Sequence, residues 1–389
     1  MKYLCIVLVG LNIFIIFYAM IGYPLVLRLV YKIIKPIEHM KNFEYEPTVS
    51  YMIVAHNEEK VIESKLKNTL ALEYPNNKLQ IIVASDNSTD ATNTIVNDFI
   101  KQHRDIRIVL VCSKEHKGKT NAQNEAQKFA TGDILVMTDA NTMVKKDAVK
   151  EIVSYFTSDD IAYVCGKLVY SNTEASNTSK SESAYWNIDL EMREIESRIW
   201  SITAGNGALY ACRNEEYIVC SPIDCHDSEM PYVYGKQGKR ALFNPDAIAI
   251  EKSGESNEDE YKRKVRMNRN ILNMLIKGIQ VVNPIKYGWF SIFYFGHRTC
   301  RYSLWWAHIL LLLLSAGMSI YSNCFGIVML ILQLVFLIVS GISIKFKVEN
   351  PLLRMVGYYS MTVLAQFHAV YNCITGNNKP VWEKVESTR

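Results

Sequence analysis

Three aspartates, one lysine and a pair of arginines are spaced along this 389-residue chain in a way that suits the handling of a polyanion. Asp139 and Asn141 stand two apart, and in an extended segment that spacing points both side chains the same way. Asp139 offers a carboxylate oxygen and Asn141 a neutral carbonyl oxygen, the hard donors that Mg2+ or Mn2+ takes. Asp139, following Thr138, also reads as a simple helix cap. Lys119 follows Gly118 at the start of a helical pattern, where an ammonium and a positive helix end would meet an anion together; a solvated surface lysine is the alternative. Arg263 and Arg266 stand three apart, so a helix puts them on one face, and guanidinium forks fit phosphate oxygens. Lys262, Lys264 and Arg269 beside them also allow a basic helix face at a membrane interface. Asp227 and Glu229 are neighbouring carboxylates of the kind that can take a proton from a hydroxyl. For Asp86, within Ser85-Asp86-Asn87-Ser88-Thr89-Asp90, ligand binding and capping of the following helix are both open and compatible. Cys225-His226-Asp227 invites a metal reading, but no second pair with ligand spacing accompanies it.

The elements that position these residues read as an alternation. Apolar runs at 49–55, 79–84, 106–111, 134–138 and 161–169 predict strands. Helical patterns follow at 59–72, 90–100, 119–130 and 145–156. Strands alternating with helices of this length predict an α/β domain with a mostly parallel sheet covered on both faces. Ligands in such sheets bind beyond the carboxyl ends of the strands, and His56-Asn57-Glu58-Glu59, the Asp86 cluster and Asp139-Ala140-Asn141 all fall at such ends. Beyond residue 180 the pattern is more helical, with helices expected over 182–202, 227–235 and 258–276. Ala204-Gly205-Asn206-Gly207-Ala208 reads as a backbone-exposing turn, and the stretch from Ser183 through Tyr185-Trp186 as a helix packing face or an acceptor path.

Taken in order, Ala55-His56-Asn57-Glu58-Glu59, the Asp86 cluster, Lys117-Gly118-Lys119, Asp139-Ala140-Asn141, Gly205-Asn206-Gly207-Ala208-Leu209-Tyr210, His226-Asp227 and Arg263-Lys264-Val265-Arg266 resemble the motifs of the family 2 glycosyltransferases. That family includes cellulose, chitin and hyaluronan synthases and bacterial exopolysaccharide synthases. The resemblance covers about residues 48–275. It implies a GT-A type, nucleotide-diphospho-sugar transferase fold and an inverting transfer of a sugar from a UDP-sugar to a growing polysaccharide or lipid-linked glycan. It also implies Mg2+ or Mn2+ at Asp139 and Asn141, and donor contacts from Ala55, His56, Asn57, Glu58, Asp86, Lys119, Asp139, Arg263 and Arg266. The acceptor would meet Gly205, Asn206, Gly207 and Glu229, with Asp227 as base. The chain departs from the family where Asn141 replaces a second carboxylate, where His226 precedes the base, and where QxxRW becomes Arg263-Lys264-Val265-Arg266-Met267. Single addition and processive synthesis therefore both stand. A catalytically silent membrane scaffold or transport subunit is the competing class, opposed by intact Asp86, Asp139 and Asp227.

The flanks place this domain. The hydrophobic fraction is 49%, concentrated at 3–34 and 286–374. The first stretch is too long and too poor in small-residue cleavage signals for a signal peptide, and predicts an N-terminal transmembrane helix within 1–35 with a kink or exit at Pro24. Lys32, Lys35 and Lys41 follow it, which predicts a cytoplasmic catalytic domain over 45–280 at the plasma (inner) membrane. An interfacial helix is expected at 284–302, then about three crossings within 303–376 and a tail at 377–389, giving a multi-pass protein. The side of the tail stays open. The net charge of +4 is too weak to argue for nucleic acid. The nine scattered cysteines form no CxxC, as expected of reduced thiols facing the cytosol.

Overall fold

The structure is a computed structural model. It describes residues 2–172, 177–254, 256–321, 323–346, 348 and 350–381, leaving aside the side chains of 2, 177–181, 183 and 184. The expected tail is described only to Val381, and Ser322, Lys347, Lys384, Arg389 and the side chain of Ser183 lie outside the described residues. The chain forms two compact units. One comprises Ile34–Asn172, Leu190–Ser253 and Lys379–Arg389; the other comprises Met1–Ile33, Thr173–Asp189 and Gly254–Asn378.

The first unit is built on an eight-stranded sheet. Its strands are β1 Val49–Ala55, β2 Leu79–Ser85, β3 Ile108–Cys112, β4 Ile134–Asp139, β5 Met143–Val144, β6 Ile161–Tyr170, β7 Leu209–Arg213 and β8 Arg240–Glu251, in the order β3-β2-β1-β4-β7-β6-β8-β5. β1 pairs in parallel with β2 and β4, as do β2 with β3 and β6 with β8. β7 runs antiparallel between β4 and β6, and β5 antiparallel to β8. The sheet is thus mixed; its parallel half follows the expected alternation, while β5, β7 and β8 lie outside it. Every residue of β1 and β2 is buried, because helices cover both faces of a parallel sheet and a two-sided strand must be apolar throughout. Helix Lys119–Gln127 packs on β1, β2 and β3, Ala148–Val153 on β6 and β8, and His226–Lys236 on the same two strands. Parallel order places the carboxyl ends of β1, β2 and β4 side by side, with Ala55 level with Ser85 and Val54 with Asp139.

The second unit is helical. Lys2–Phe17 and Tyr23–Ile33 run on through a π turn at Tyr18–Gly22. Pro24 explains the irregularity, since its ring lacks a donor and crowds the preceding turn. The single helix expected over 258–276 is two, Asn257–Met267 and Ile271–Gln280. Polar Asn268-Arg269-Asn270 separate them, and asparagine side chains compete with the helix for backbone bonds; that of Asn268 bonds Lys264 O at 2.7 Å. Asparagines start the later helices: Asn323 Oδ1 accepts from Phe325 N and Gly326 N, and Asn350 Oδ1 from Leu352 N and Leu353 N. By length and composition, two helices among the described residues are able to cross a membrane, Tyr3–Ile33 and Cys324–Lys345. A third span arises if Trp289–Tyr302 and Leu304–Ile320, bent by 59°, count as one. Helix Pro351–Thr375 is long enough but carries Arg354, Gln366, His368 and Asn372.

Ile53, in the middle of β1, is fully buried. Ile53→Ala is expected to cost about 2–5 kcal/mol of unfolding free energy through lost burial and the cavity left behind. Denaturant unfolding of the detergent-solubilised protein measures it, and a loss within experimental scatter would contradict this account of the core.

Candidate functional site

Lys119 stands at the first turn of its helix, and its Nζ forms an ion pair with the Asp139 carboxylate at the end of β4. The same ammonium donates to Gly207 O at 3.2 Å and feels the charge of Asp227. Burial works to lower the Lys119 pKa, but the Asp139 and Asp227 carboxylates outweigh it and hold the ammonium above its ordinary value. Burial pushes the Asp227 carboxyl up from its ordinary value, against the pull of Lys119 and Arg193 and with added repulsion from Asp139. Such opposed environments side by side are what a candidate functional site shows. Three residues distant in sequence, Lys119, Asp139 and Asp227, therefore share one electrostatic neighbourhood. The extended spacing expected of Asp139 and Asn141 is not found: the strand ends at Asp139, and Ala140-Asn141 form a turn closed by Thr142 N to Asp139 O at 3.2 Å, so the pair is a carboxylate and an amide oxygen, both hard donors for a divalent ion, on one tight turn. The Lys119 ammonium already places positive charge against Asp139, as such an ion would.

Asp86, at the end of β2, is fully buried. Its carboxylate accepts from His116 Nδ1 at 2.8 Å, Lys117 N at 3.1 Å and Gly118 N at 2.8 Å. It thereby pins the loop that delivers Lys119, and because a carboxylate only accepts, the His116 proton sits on Nδ1. The His56 ring stacks on His116 with centroids 3.7 Å apart and planes 9° from parallel, while its Nδ1 bonds Asp86 O at 2.7 Å. Burial lowers the His56 pKa. His56, Asp86 and His116 also lie close enough to share a metal ion. Nearly parallel stacked rings aim their in-plane lone pairs alongside each other, however, which suits a flat aromatic platform better than tetrahedral ligation. Asn57 has φ 55, a conformation asparagine tolerates. Its Oδ1 accepts from Thr89 N at 2.8 Å, and Glu58 N donates to Thr92 Oγ1 at 2.7 Å, so the β1 end is laced to the β2 end. Ala55 O accepts from Asp86 N at 2.9 Å.

The glycine loop is positioned as closely. Gly205 N donates to Asp227 O at 2.7 Å, joining the loop to the helix that carries Asp227. A side chain at Gly205 would collide with Tyr163 Oη, and one at Gly207 would sit 2.9 Å from Lys119 Nζ. Gly118 has φ 98, and a Cβ there would lie 2.6 Å from Pro380 O. Asn206, expected at the acceptor, is buried and bonds Gly166 O at 2.7 Å and Ala208 N at 3.1 Å, so the side chain organises the loop. Asp227 and Glu229 fall in the first turn of helix His226–Lys236, where negative charge meets the positive helix end. His226 turns into the protein: Nδ1 meets Gln123 Oε1 at 3.0 Å and Nε2 meets Tyr217 Oη at 2.7 Å. Burial drives its pKa down to about 3, so the imidazole is a neutral link between the Asp227 helix and the Lys119 helix.

Arg263 and Arg266 belong to the helical unit. Arg263 Nη2 pairs with Glu182 at 2.6 Å and its Nε with Glu260 at 2.6 Å, both carboxylates being buried; Arg266 is half-buried on the same helix. Tyr185 is flanked by the Lys264 ammonium, 5.1 Å from its ring, and the Arg301 guanidinium at 5.0 Å. Four residues of the α/β unit's site are absent from the sequence expectations: His116, Gln123, Arg193 and Lys65. His116 carried a usable signal, standing three residues before Lys119 in the same loop. Arg193 and Lys65 carried none, since a charged residue on a helix reads as solvated.

The family model for glycosyl transferase family 2 matches residues 50–218, which hold Asp86, Lys119, Asp139 and the glycine loop. A β-monoglucosyldiacylglycerol synthase of Nostoc sp. is 29% identical over 182 residues, 44% of this chain and 39% of the relative. A poly-β-1,6-N-acetyl-D-glucosamine synthase of Staphylococcus aureus is 34% identical over 111 residues, 28% of this chain and 26% of the relative. The matches thus span well under half the length of these curated relatives. A solved mannosyltransferase of Pyrobaculum calidifontis, in complex with GDP-mannose and Mn2+, superposes with a TM-score of 0.71 at 21% identity, covering 94% of this chain and 99% of that one. The fold is accordingly of the GT-A type. Residues 50–218 thus match the glycosyl transferase family 2 domain, set in a chain with the fold of that mannosyltransferase.

Proposed function

We propose that this chain is an inverting glycosyltransferase that moves a sugar from a UDP-sugar to a growing polysaccharide or a lipid-linked glycan at the cytoplasmic face of a membrane. The observation that carries the reading is the convergence of Asp139 and Asp227 on the Lys119 ammonium. In this reading the donor's base and ribose lie against His56, His116 and the loop pinned by Asp86, beyond the ends of β1 and β2. The diphosphate lies by Lys119 at the amino end of helix Lys119–Gln127. Asp139 and the Asn141 carbonyl hold Mg2+ or Mn2+, which when bound offsets the charge of the departing diphosphate. The acceptor hydroxyl gives its proton to Asp227, and its oxygen bonds the anomeric carbon from the side opposite the diphosphate. The old carbon–oxygen bond breaks as its electron pair leaves with the diphosphate, so the anomeric configuration inverts. A carboxylate raised by burial is the stronger base for that proton.

Two apolar helices, Tyr3–Ile33 and Cys324–Lys345, support a membrane setting, and Lys32, Lys35 and Lys41 favour the cytoplasmic side for the domain that follows. One relative is named for a glycolipid product and another for a polymer, so both acceptor classes are carried into the test.

Purified protein in lipid, supplied with Mn2+ and a panel of radiolabelled UDP-sugars and GDP-mannose, is expected to transfer from a UDP-sugar. Product length separates single addition from polymerisation, and transfer from GDP-mannose alone would refute the donor assignment. Asp227→Asn is expected to lower kcat by about 10²–10⁴-fold, the usual contribution of a positioned base, while nucleotide binding persists. Activity should fall as pH drops through the Asp227 pKa, placing the acid limb of kcat/KM above about 4, the ordinary carboxylate value; a limb at or below it would refute the assignment. Asp86→Asn replaces an acceptor by a group that cannot accept from His116 and both amides at once. Loss of such charge-assisted bonds, worth about 1.5–3 kcal/mol each, is expected to weaken UDP binding in calorimetry; wild-type affinity would refute the loop's role.

A further inference from the structure

The expected scheme leaves one buried charge without a task. Lys65, on helix Ile62–Leu70, is fully buried. Its Nζ donates to Tyr51 Oη at 3.1 Å, Thr138 Oγ1 at 3.1 Å and Thr142 O at 2.5 Å. Three acceptors match the three protons of an ammonium, yet all three are neutral. Burial pulls the Lys65 pKa down to about 7, although the Asp139 and Glu251 carboxylates favour the charged form; a methionine of similar volume would pack there without desolvating a charge. The benefit lies in what the acceptors do. Thr138 precedes Asp139-Ala140-Asn141 and Thr142 follows it, so the lysine grips both ends of that turn. The turn is otherwise tied by Ala140 N to Val54 O at 3.1 Å, by Thr142 N to Asp139 O at 3.2 Å, and by the Thr142 hydroxyl to the Glu251 carboxylate. Thr138 Oγ1, accepting from Lys65, passes its own proton to Ala208 O at 2.7 Å, which extends the grip to the loop of Gly207, against which the Lys119 ammonium sits.

We propose that Lys65 is a positioning residue for the metal-holding turn: through Thr138 and Thr142 it fixes the aim of Asp139 and Asn141, and through Thr138 and Ala208 it sets the glycine loop against Lys119. The proposal rests on the reading that Asp139 and Asn141 hold a divalent ion. Lys65→Met keeps the volume and removes the three bonds. Mn2+ binding to the full chain in detergent, followed by electron paramagnetic resonance of free Mn2+ without donor, is expected to weaken by about tenfold or more, as for other residues that orient metal ligands. Half-saturating Mn2+ for transfer should rise in parallel. A folded Lys65→Met protein that binds Mn2+ as wild type does, with only its Tm lowered, overturns the proposal. Should that variant not fold, Thr138→Val, close in shape but lacking the hydroxyl, must weaken Mn2+ binding in the same direction, and wild-type affinity overturns the proposal equally. Asp139→Ala separates the two layers. If it binds Mn2+ as wild type does, the metal reading falls and takes this proposal with it. If it loses Mn2+ while Lys65→Met and Thr138→Val keep it, the proposal alone falls.

Discussion

The Lys119 ammonium faces two carboxylates, and that contact governs the site. Lys119 stands against Asp139 and Asp227, and Arg193 acts on Asp227 as well, so two cations meet two carboxylates. Partial desolvation strengthens each of these interactions, and burial raises Asp227 against the pull of both cations. In the proposed reading, a divalent ion against Asp139 would make this neighbourhood net positive and receptive to a diphosphate. Asp227 is raised by burial yet kept in the company of cations.

Around this centre the protein uses its polar side chains chiefly to hold backbone. Asp86 gathers one imidazole and two amides, Asn206 two loop segments, and His226 the helices of Asp227 and Lys119. Each is satisfied within the fold, so the site is organised before any ligand arrives, which lowers the ordering cost of binding. His226 precedes Asp227, and as a neutral ring it supports the Asp227 helix without adding a further negative charge beside Asp139 and Asp227.

The parallel half of the sheet was legible because strands buried on both faces leave continuous apolar runs, as β1, β2 and β4 do, and because polar residues gather where such runs stop. β8 was hidden by Arg240, Asn244, Pro245 and Asp246, which break the apolar signal although tertiary partners accommodate them; Asn244, for instance, bonds Glu151 O at 2.9 Å. β7 is five residues long and follows a glycine-rich loop, so nothing local separated strand from turn. Asp86, Lys119, Asp139 and Asp227 were legible as types at strand ends and helix starts. The roles of Lys65 and Arg193 were not, since they depend on acceptors and charges tens of residues away, and sequence periodicity is blind to such partners. The expected donor role of Arg263 is set beside an alternative visible only in three dimensions, its pairing with buried Glu182 and Glu260.

Pro380 against Gly118 gives the loop beside Lys119 a dependence on the order of synthesis. Residue 118 leaves the ribosome long before residue 380, and the helical segment from 254 to 378 is made in between. The nascent α/β unit can therefore assemble its sheet while that loop still lacks Pro380. This neighbour arrives only once the downstream helices have been translated.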